Sequence, residues 1–355
     1  MEDFGGVSEW INGDENAKTM LARVLVNRQS CVALTRQIPP LMRVPLRAGN
    51  VVEIVGPSSS AKSELLIQAA VNCILPKEWK GVSYGGSEGV VMVFDLDCRF
   101  DVMRLGHCLR YRIDGTCGPG THNNMYTRKE IRSNDKQGSQ ASLLTPIYQE
   151  DELFVSCMER LLYIRCYNSF EFLAALKTIR PQLQKAIEKH SNGVHLLVID
   201  SISAFYWLDR ALKSASIDNN ASRKSLSLQV VSETVVQELR HLLQINPMLV
   251  LATKPTIYST GPSENLVGRE GRKWSKSCLE ASKHGNQVSE KNVHREYMPA
   301  VWQAFVTHRL LLGRSDDTSE NENIKVPVYT SEWEMPSLQH SDRFIVQDGG
   351  ISLIM

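Results

Sequence analysis

The sequence has no long hydrophobic run, and its two signs of charge nearly cancel. No apolar run approaches the roughly 18–20 residues that a membrane-spanning helix needs, and the acidic start MEDFGG lacks the pattern of a secretory signal. Forty Lys and Arg against 39 Asp and Glu leave a formal charge of +1, so no overall basic field attracts nucleic acid or an anionic membrane. We therefore expect a soluble, unsecreted protein with no membrane partner, in which any contact with DNA is local.

The cysteines and histidines also lack the spacings of a metal site. The eight cysteines contain no C-x-x-C pair, and the nine histidines contain no H-x-x-x-H pair. Most cysteines lie in apolar runs, as Cys73 and Cys166 do. This favours buried, reduced thiols in a cytosolic or nuclear protein over a disulfide or zinc framework.

Segments typical of strands alternate with segments typical of helices, which predicts an α/β fold with a mostly parallel sheet flanked by helices. Near-continuous apolar runs such as VVMVF, HLLVI and MLVLA indicate central strands that are buried on both faces. Pro181 is expected to kink or divide the third of the four predicted helices. The predicted strands are 50–55, 90–96, 161–166, 194–199 and 248–252, and the predicted helices are 63–75, 100–113, 169–189 and 222–244.

The C-terminal part of the chain changes character. The runs VWQAFVTHRLLL, IKVPVYT and RFIVQDGGISLI predict shorter strands, the last of them folded about a Gly349-Gly350 turn. We expect these strands to add an antiparallel edge to the sheet.

Two polar stretches interrupt the pattern, at residues 114–151 and 256–296. Long loops without regular structure are typically functional or disordered, so we expect a polar insert and a flexible loop. The first 45 residues carry one weakly amphipathic stretch, residues 17–26, closed by Pro39-Pro40. They are interpreted as an N-terminal packing arm or linker, and residues 46–355 as the core.

The strongest motif lies between the first predicted strand and the first predicted helix. Phosphate loops follow G-x-x-x-x-G-K-[ST], because backbone N–H groups wrap the phosphates, the Lys meets the outer phosphates and the hydroxyl binds Mg²⁺. Ala61 departs from this pattern, since it adds a Cβ where glycine is expected, and nucleotide affinity should suffer. Taken alone, the motif also fits a Ser-rich turn. The candidate ATP-binding residues are Gly56, Pro57, Ser58, Ser59, Ser60, Ala61, Lys62 and Ser63.

Acidic residues end two of the predicted strands. The run LLVID ends at Asp200, which predicts an acid that holds Mg²⁺ together with Ser63; capping of the next helix is the simpler alternative. The run FDLD places Asp95 and Asp97 at the carboxyl edge of the sheet, where ligands of open α/β sheets lie. One of the two could orient an attacking water or cap the helix that follows. Asp97 is the candidate catalytic residue.

Two further segments could contact nucleic acid or a partner. The run Phe205-Tyr206-Trp207 fits either core packing under the next helix or an aromatic surface that stacks bases or docks a partner helix. The 256–296 stretch carries Lys and Arg diluted by Glu, which fits contact with DNA phosphates or a merely solvated loop equally well.

With the phosphate loop, FDLD, LLVID and ISAFYWLDR in that order, the chain resembles the RecA-type recombinase fold, and within it the eukaryotic recombinase paralogues. The resemblance implies a RecA-like P-loop NTPase core that lacks the small N-terminal helical domain of recombinases. It also implies a DNA repair protein of homologous recombination, acting at double-strand breaks and replication forks. Residence would be nuclear, although the sequence is also compatible with the cytoplasm.

The same resemblance implies a set of partners. The chain would be one subunit of a four-paralogue complex, beside the D-type recombinase paralogue, and would help to load the recombinase filament on DNA. Single-stranded or forked DNA would be met through that complex. Two other functions stay open: a DNA-stimulated ATPase that acts on its own, and a module that binds DNA structure directly through the 256–296 loop.

Three departures from active recombinases concern hydrolysis. Ala61 replaces a loop glycine, Asp97 stands at the place of the catalytic Glu, and Thr253-Lys254-Pro255 replaces Thr-Asn-Gln. The replaced Gln is the family's sensor of the terminal phosphate, and proline has neither an amide side chain nor an N–H group. We therefore expect ATP and Mg²⁺ to bind weakly and hydrolysis to be weak or absent.

Overall fold

The computed structural model describes residues 35, 38–116, 145–189, 194–215, 228–257, 296–321 and 324–354. Most of the predicted arm, with its 17–26 stretch, and most of the two polar stretches lie outside these residues. The chain forms two units, one of residues 1–255 and 298–355 and one of residues 256–297. The sheet and the core belong to the first unit.

One large sheet organises the first unit. Its order is β11-β10-β9-β8-β1-β7-β6-β4-β5, while β2 and β3 form a separate small hairpin. The six strands from β8 to β5 run parallel to their neighbours, and β9, β10 and β11 continue the sheet in antiparallel fashion. The α/β class and the antiparallel C-terminal edge are therefore confirmed. The strands are β1 (Val51–Gly56), β2 (Glu78–Trp79), β3 (Val82–Ser83), β4 (Val90–Asp95), β5 (Leu161–Arg165), β6 (Val194–Asp200), β7 (Leu249–Pro255), β8 (His308–Asn321), β9 (Ile324–Met335), β10 (Ser341–Gln347) and β11 (Gly350–Leu353).

The central strands are apolar because helices cover both faces of the sheet. Every residue of β1 and of β4 is buried. Their register aligns the ends of neighbouring strands, since Gly56 of β1 lies opposite Pro255 of β7, and Asp95 of β4 lies opposite Asp200 of β6. The residues that follow these strands are thereby collected at one edge of the sheet.

Nine helices lie within the described residues. Pro181 stands at the second position of α6, so the predicted helix 169–189 is divided into α5 and α6. Helix α2 is buried from Leu65 to Ile74 and packs against alternate residues of β1, β4, β6 and β7. The helices are α1 (Pro39–Met42), α2 (Lys62–Ile74), α3 (Val102–Thr116), α4 (Thr145–Met158), α5 (Ser169–Thr178), α6 (Arg180–Lys189), α7 (Tyr206–Ala215), α8 (Leu228–Ile245) and α9 (Ala300–Phe305).

The strand prediction for VWQAFVTHRLLL was wrong in its first half. Residues Ala300–Phe305 form helix α9, and the strand begins only at His308. The cause is tertiary: Trp302 and Phe305, three residues apart on one helical face, are both buried, and their rings meet at 5.7 Å. Aromatic residues favour strands locally, but here burial on one face decides the structure.

Regular structure also reaches into the first polar stretch, which was expected to be without it. Helix α3 continues to Thr116, and helix α4 begins at Thr145. Within α4, Leu153 and Cys157 lie four residues apart and are buried. Helix α7, directly after the LLVID strand, was not predicted as a helix at all.

The described end of the N-terminal segment is packed into the core. Ile38 and Leu41 are fully buried around α1, and the Trp333 indole Nε1 donates a hydrogen bond to the Pro40 carbonyl at 2.8 Å. Arg43 forms an ion pair with Asp342 of β10. These contacts attach residues 38–43 to the antiparallel edge of the sheet.

The described cysteines are mostly interior. Cys73, Cys108, Cys157 and Cys166 are buried, and Cys98 is exposed. Burial raises the pKa of the Cys157 thiol to about 12 and that of the Cys166 thiol to about 11, so both stay protonated at neutral pH. Among the helices of the described ranges, none combines the length and the apolar character needed to cross a membrane.

Candidate functional site

The predicted phosphate loop lies between the end of β1 and the start of α2. A Cβ atom at Gly56 would lie 2.4 Å from the Ser60 Oγ and 2.5 Å from the Leu312 carbonyl oxygen, so glycine is required there. Ser60 is buried, and its hydroxyl donates to the Pro57 carbonyl at 2.8 Å. The loop is therefore a tight turn that begins directly behind a buried strand and opens a helix.

Ala61 adopts the conformation for which the phosphate-loop pattern uses glycine. Its φ of 61° and ψ of 24° lie in the left-handed region, immediately before α2. A Cβ in that region costs roughly 1–2 kcal/mol relative to right-handed backbone. The loop thus keeps its backbone shape, although the residue at this position disfavours it.

We expect Ala61→Gly to raise the free energy of unfolding by up to about 1 kcal/mol, because glycine relieves this strain but adds entropy to the unfolded chain. Urea denaturation of the two proteins measures the difference. Ala70→Gly, in the right-handed interior of α2, is the matched control and should destabilise by about 1 kcal/mol or more. A clear loss of stability in Ala61→Gly would contradict the role given to the left-handed conformation.

The Lys62 side chain folds back over the loop. Its Nζ donates to the carbonyls of Gly56 at 2.8 Å and Pro57 at 2.6 Å. The pKa of Lys62 is lowered to about 8, mainly by burial; Asp200 opposes this shift, and the nearby Arg99 adds to it. The ammonium group is therefore charged at neutral pH and lies at the loop, as a phosphate ligand must.

Ser63 and Asp200, far apart in sequence, are brought together. The Ser63 hydroxyl donates to the Asp200 Oδ2 at 3.0 Å, and the Thr253 hydroxyl donates to the Asp200 Oδ1. Burial raises the pKa of Asp200, and the two hydrogen bonds oppose that shift. The end of β6 is thus joined to the loop helix on one side and to β7 on the other.

Asp97 lies in the same electrostatic environment. Burial first, and then repulsion by Asp200 and Asp95, raises the pKa of Asp97 to about 6, although Arg99 opposes the shift. The Arg99 Nε is 3.9 Å from the Asp97 Oδ2. The other carboxylate oxygen, Oδ1, is buried and has no hydrogen-bond partner among the described residues.

The neighbouring Asp95 has a different environment. It is fully buried and accepts hydrogen bonds from the Tyr163 hydroxyl at 2.6 Å and from the Arg99 backbone N–H at 3.1 Å. Arg165 lies 3.5 Å away. Asp95 therefore fixes the turn after β4. Both acids interact electrostatically with Asp200, but Asp97 is the one that stays partly exposed at the site.

The oxygen atoms of the site suit Mg²⁺ only in part. Hydroxyl and carboxylate oxygens, as on Ser63 and Asp200, are ligands that Mg²⁺ prefers. No group of three or more His, Cys, Asp or Glu is placed to hold a metal ion within the residues that the structure describes. A magnesium ion would therefore need phosphate oxygens and water as its other ligands, and when bound it would neutralise phosphate charge.

The strand that carries Thr253 also carries a buried ion-pair network, here called the Glu53 network. Glu53 and Lys254 are fully buried, and the Lys254 Nζ is 3.2 Å from the Glu53 Oε2. Arg309 reaches the same oxygen at 2.8 Å, and the Trp302 Nε1 donates to the Oε1 at 2.8 Å. The network ties β1, β7, β8 and α9 together, and it was not predicted. One acid inside the apolar run VVEIVG was the available signal.

The run Phe205-Tyr206-Trp207 places one ring in the interior and one at the surface, while base stacking and partner docking stay predictions. Tyr206 is buried, whereas Trp207 is 54% exposed at the start of α7. The two rings meet edge to face at 4.9 Å, and the Arg210 guanidinium lies 5.7 Å from the Trp207 ring. The basic side chains of the 256–296 stretch lie outside the described residues.

Comparisons with known proteins identify relatives along most of the chain. No protein-family model matches it. The DNA repair protein XRCC2 homolog of Arabidopsis thaliana is 45% identical over 341 residues, which are 96% of this chain and 88% of that protein. The DNA repair protein XRCC2 of Mus musculus is 26% identical over 273 residues, which are 77% of this chain and 75% of that protein.

Proposed function

The chain belongs to the family of the DNA repair protein XRCC2, and on that premise we propose that it acts in homologous recombination as a RecA-like subunit of a recombinase-paralogue complex. The complex would help to load the recombinase on single-stranded DNA at double-strand breaks and replication forks, in the nucleus. The observation that carries the proposal is a retained scaffold with altered catalytic positions: the strand–loop–helix turn keeps its shape while Ala61, Asp97 and Pro255 depart from the recombinase pattern.

The partners follow from the resemblance to the recombinase paralogues. We propose the D-type paralogue as the direct neighbour in a four-paralogue complex, the recombinase filament as the acceptor, and DNA as a ligand of the complex. Large apolar side chains that stay exposed on α5 and α7 support a subunit rather than a lone monomer. They include Phe170, Trp207 and Leu208.

The nucleotide role is the second part of the proposal. ATP would lie against residues 56–63, with Mg²⁺ held by Ser63 and Asp200. Hydrolysis would be weak, because Asp97 is one C–C bond shorter than the Glu of active recombinases. Misplacement by about 1 Å can lower a rate by roughly 10²-fold. Pro255 has no side-chain amide, so it cannot donate a hydrogen bond to the terminal phosphate as the recombinase Gln does.

The test is equilibrium binding of a fluorescent ATP analogue with Mg²⁺, to the chain alone and with the D-type paralogue. We expect Lys62→Ala to weaken binding by at least about tenfold, because a charge-assisted contact to phosphate is lost. Lys185→Ala, on the exposed surface of α6, should leave binding unchanged. Equal binding by wild type and Lys62→Ala would contradict the nucleotide role and leave an assembly subunit whose phosphate loop is a relic.

The alternative of a DNA-stimulated ATPase rests on one observation. A pKa of about 6 places Asp97 near the range in which a general base works, beside Lys62, Ser63 and Asp200. ATP turnover in the presence of single-stranded DNA decides between the readings. An ATPase is supported if Lys62→Ala abolishes the ATP turnover of the wild type. It is excluded if the wild type turns over ATP no faster than Lys62→Ala does. Direct binding of DNA structure through the 256–296 loop stays a prediction, since that loop is outside the described residues.

A further inference from the structure

Arg99 contacts the phosphate loop from the segment that follows β4, and no phosphate-loop motif includes it. It follows β4 by four residues, and its Nη1 donates to the Ser58 hydroxyl at 3.1 Å. Ser58 stands in the middle of the loop. The contact therefore joins the segment after β4 to the part of the loop that faces a bound phosphate in proteins of this type.

The backbone of Arg99 is held in place independently of its side chain. Its N–H donates to the fully buried Asp95, and Asp95 is itself held by the Tyr163 hydroxyl. The preceding residue, Cys98, adopts a left-handed φ of 60° within the same turn. The Arg99 side chain thus reaches Ser58 from a turn whose backbone is held by hydrogen bonds.

The side chain keeps the capacity for a second ligand. A guanidinium group carries five N–H donors, and one of them is used on Ser58. The side chain is 65% exposed, and its nearest acid is Asp97, at 3.9 Å from Nε. A planar fork of donors at this position matches two oxygens of a phosphate group.

Lys62 and Arg99 bring two positive charges to one short loop. Lys62 donates hydrogen bonds to the carbonyls of Gly56 and Pro57, and Arg99 donates one to the Ser58 hydroxyl. The two cations repel each other, because like charges are held at neighbouring residues of one short loop. An anion between them would remove this repulsion, and a phosphate chain carries enough charge for both.

From these contacts we infer that Arg99 is a phosphate-binding residue of the nucleotide site, which exchanges its Ser58 contact for oxygens of the terminal phosphate of a nucleoside triphosphate. The inference rests on the proposed nucleotide role and adds specificity to it. Lys62 would contact the outer phosphates from within the loop, as the motif predicts, whereas Arg99, whose side chain is 65% exposed, would add contacts to the terminal phosphate alone. The site should therefore prefer a triphosphate to a diphosphate.

The test compares the equilibrium binding of Mg-ATP and Mg-ADP to the full chain and its variants by isothermal titration calorimetry. We expect Arg99→Ala to weaken ATP binding by about tenfold and ADP binding by clearly less, so that the preference for ATP shrinks. Arg99→Lys, which keeps the charge but not the fork, should recover part of the loss. Arg47→Ala is the matched control, because Arg47 is exposed before β1, at the opposite end of that strand.

The outcomes separate the inference from the function on which it rests. Binding that depends on Lys62 but is unchanged by Arg99→Ala overturns the inference and keeps the nucleotide role. Tighter binding by Arg99→Ala also overturns it, because Arg99 would then block the loop through Ser58. Binding by neither wild type nor variants overturns both. Circular dichroism of each variant confirms that it is folded.

Discussion

Glu53→Gln is expected to lower the free energy of unfolding by about 3–5 kcal/mol, the range found when one partner of a buried ion pair is removed. The Glu53 carboxylate is fully buried and balances Lys254, which is also fully buried, and Arg309. Glutamine keeps the size and one acceptor but removes the charge. Arg309 also lies 3.4 Å from Glu334 at the surface, so most of the uncompensated charge falls on Lys254.

Urea denaturation of the purified proteins measures this loss. Glu332→Gln, on the exposed side of β9, is the matched control and should change stability by less than about 0.5 kcal/mol. The double variant Glu53→Gln with Lys254→Met should regain much of the lost stability, because an apolar side chain can replace a buried ion at little net cost. A Glu53→Gln protein as stable as the control, or a double variant no better than the single one, would contradict the role of the network.

Asp97→Asn is expected to stabilise the ligand-free protein at pH 7.5, by up to about 3 kcal/mol. The pKa of Asp97 is raised from 3.8 to about 6, and each unit corresponds to about 1.36 kcal/mol. The carboxylate is charged in both states at pH 7.5, but in the folded state it is partly buried near Asp200 and Asp95. Its side chain is 28% exposed, so solvent screening makes this figure an upper bound.

The raised pKa of Asp97 determines how the stability of the protein changes with pH. The folded protein holds the Asp97 proton more tightly than the unfolded chain does, so the penalty is largest above pH 6 and fades as the pH falls toward 3.8. The stability difference between Asp97→Asn and wild type should therefore shrink from pH 7.5 to pH 4.5. Glu332→Gln supplies the control at both values. A difference that stays constant with pH would show that the gain is unrelated to ionisation.

A stabilised Asp97→Asn protein should bind Mg-nucleotide less well. An acid kept charged at the expense of stability is typical of functional sites. The same binding assay that tests Lys62 therefore gives the second half of this prediction. If stability and affinity both rose, Asp97 would make no contribution to nucleotide binding, and Ser63 and Asp200 would remain the proposed Mg²⁺ ligands.

The parallel core could be predicted from sequence because its strands are buried on both faces. A continuous apolar run such as VVMVF in β4 can be assigned as a buried strand without an alternation of polar and apolar residues. The run that ends at Asp200, in β6, is continuous in the same way. Helix α9 could not be predicted, since the run AVWQAF carries the aromatic and β-branched residues of a strand. Burial of Trp302 and Phe305 on one helical face, with the Trp302 hydrogen bond to Glu53, favours the helix.

The site was predictable where its residues follow a spaced motif, and hidden where its contacts cross between strands. Lys62 and Ser63 are fixed by their position after Gly56, and Asp200 by the end of an apolar run. Arg99 joins the site, and Thr253, known from the sequence only as part of the Thr-Lys-Pro replacement, meets Asp200, because β4, β6 and β7 are neighbours in the sheet. Nothing in the order of the chain places those strands side by side.

The left-handed backbone at Ala61 also has a genetic consequence. Any alanine codon becomes a glycine codon by one base change at its second position, so the gene stands a single point mutation away from the sequence G-x-x-x-x-G-K-S. The torsion angle that glycine accepts freely is already present, and the reversal therefore needs no compensating change elsewhere. A selection for tighter nucleotide binding has this codon within one base change, and both residues at position 61 are compatible with the same backbone.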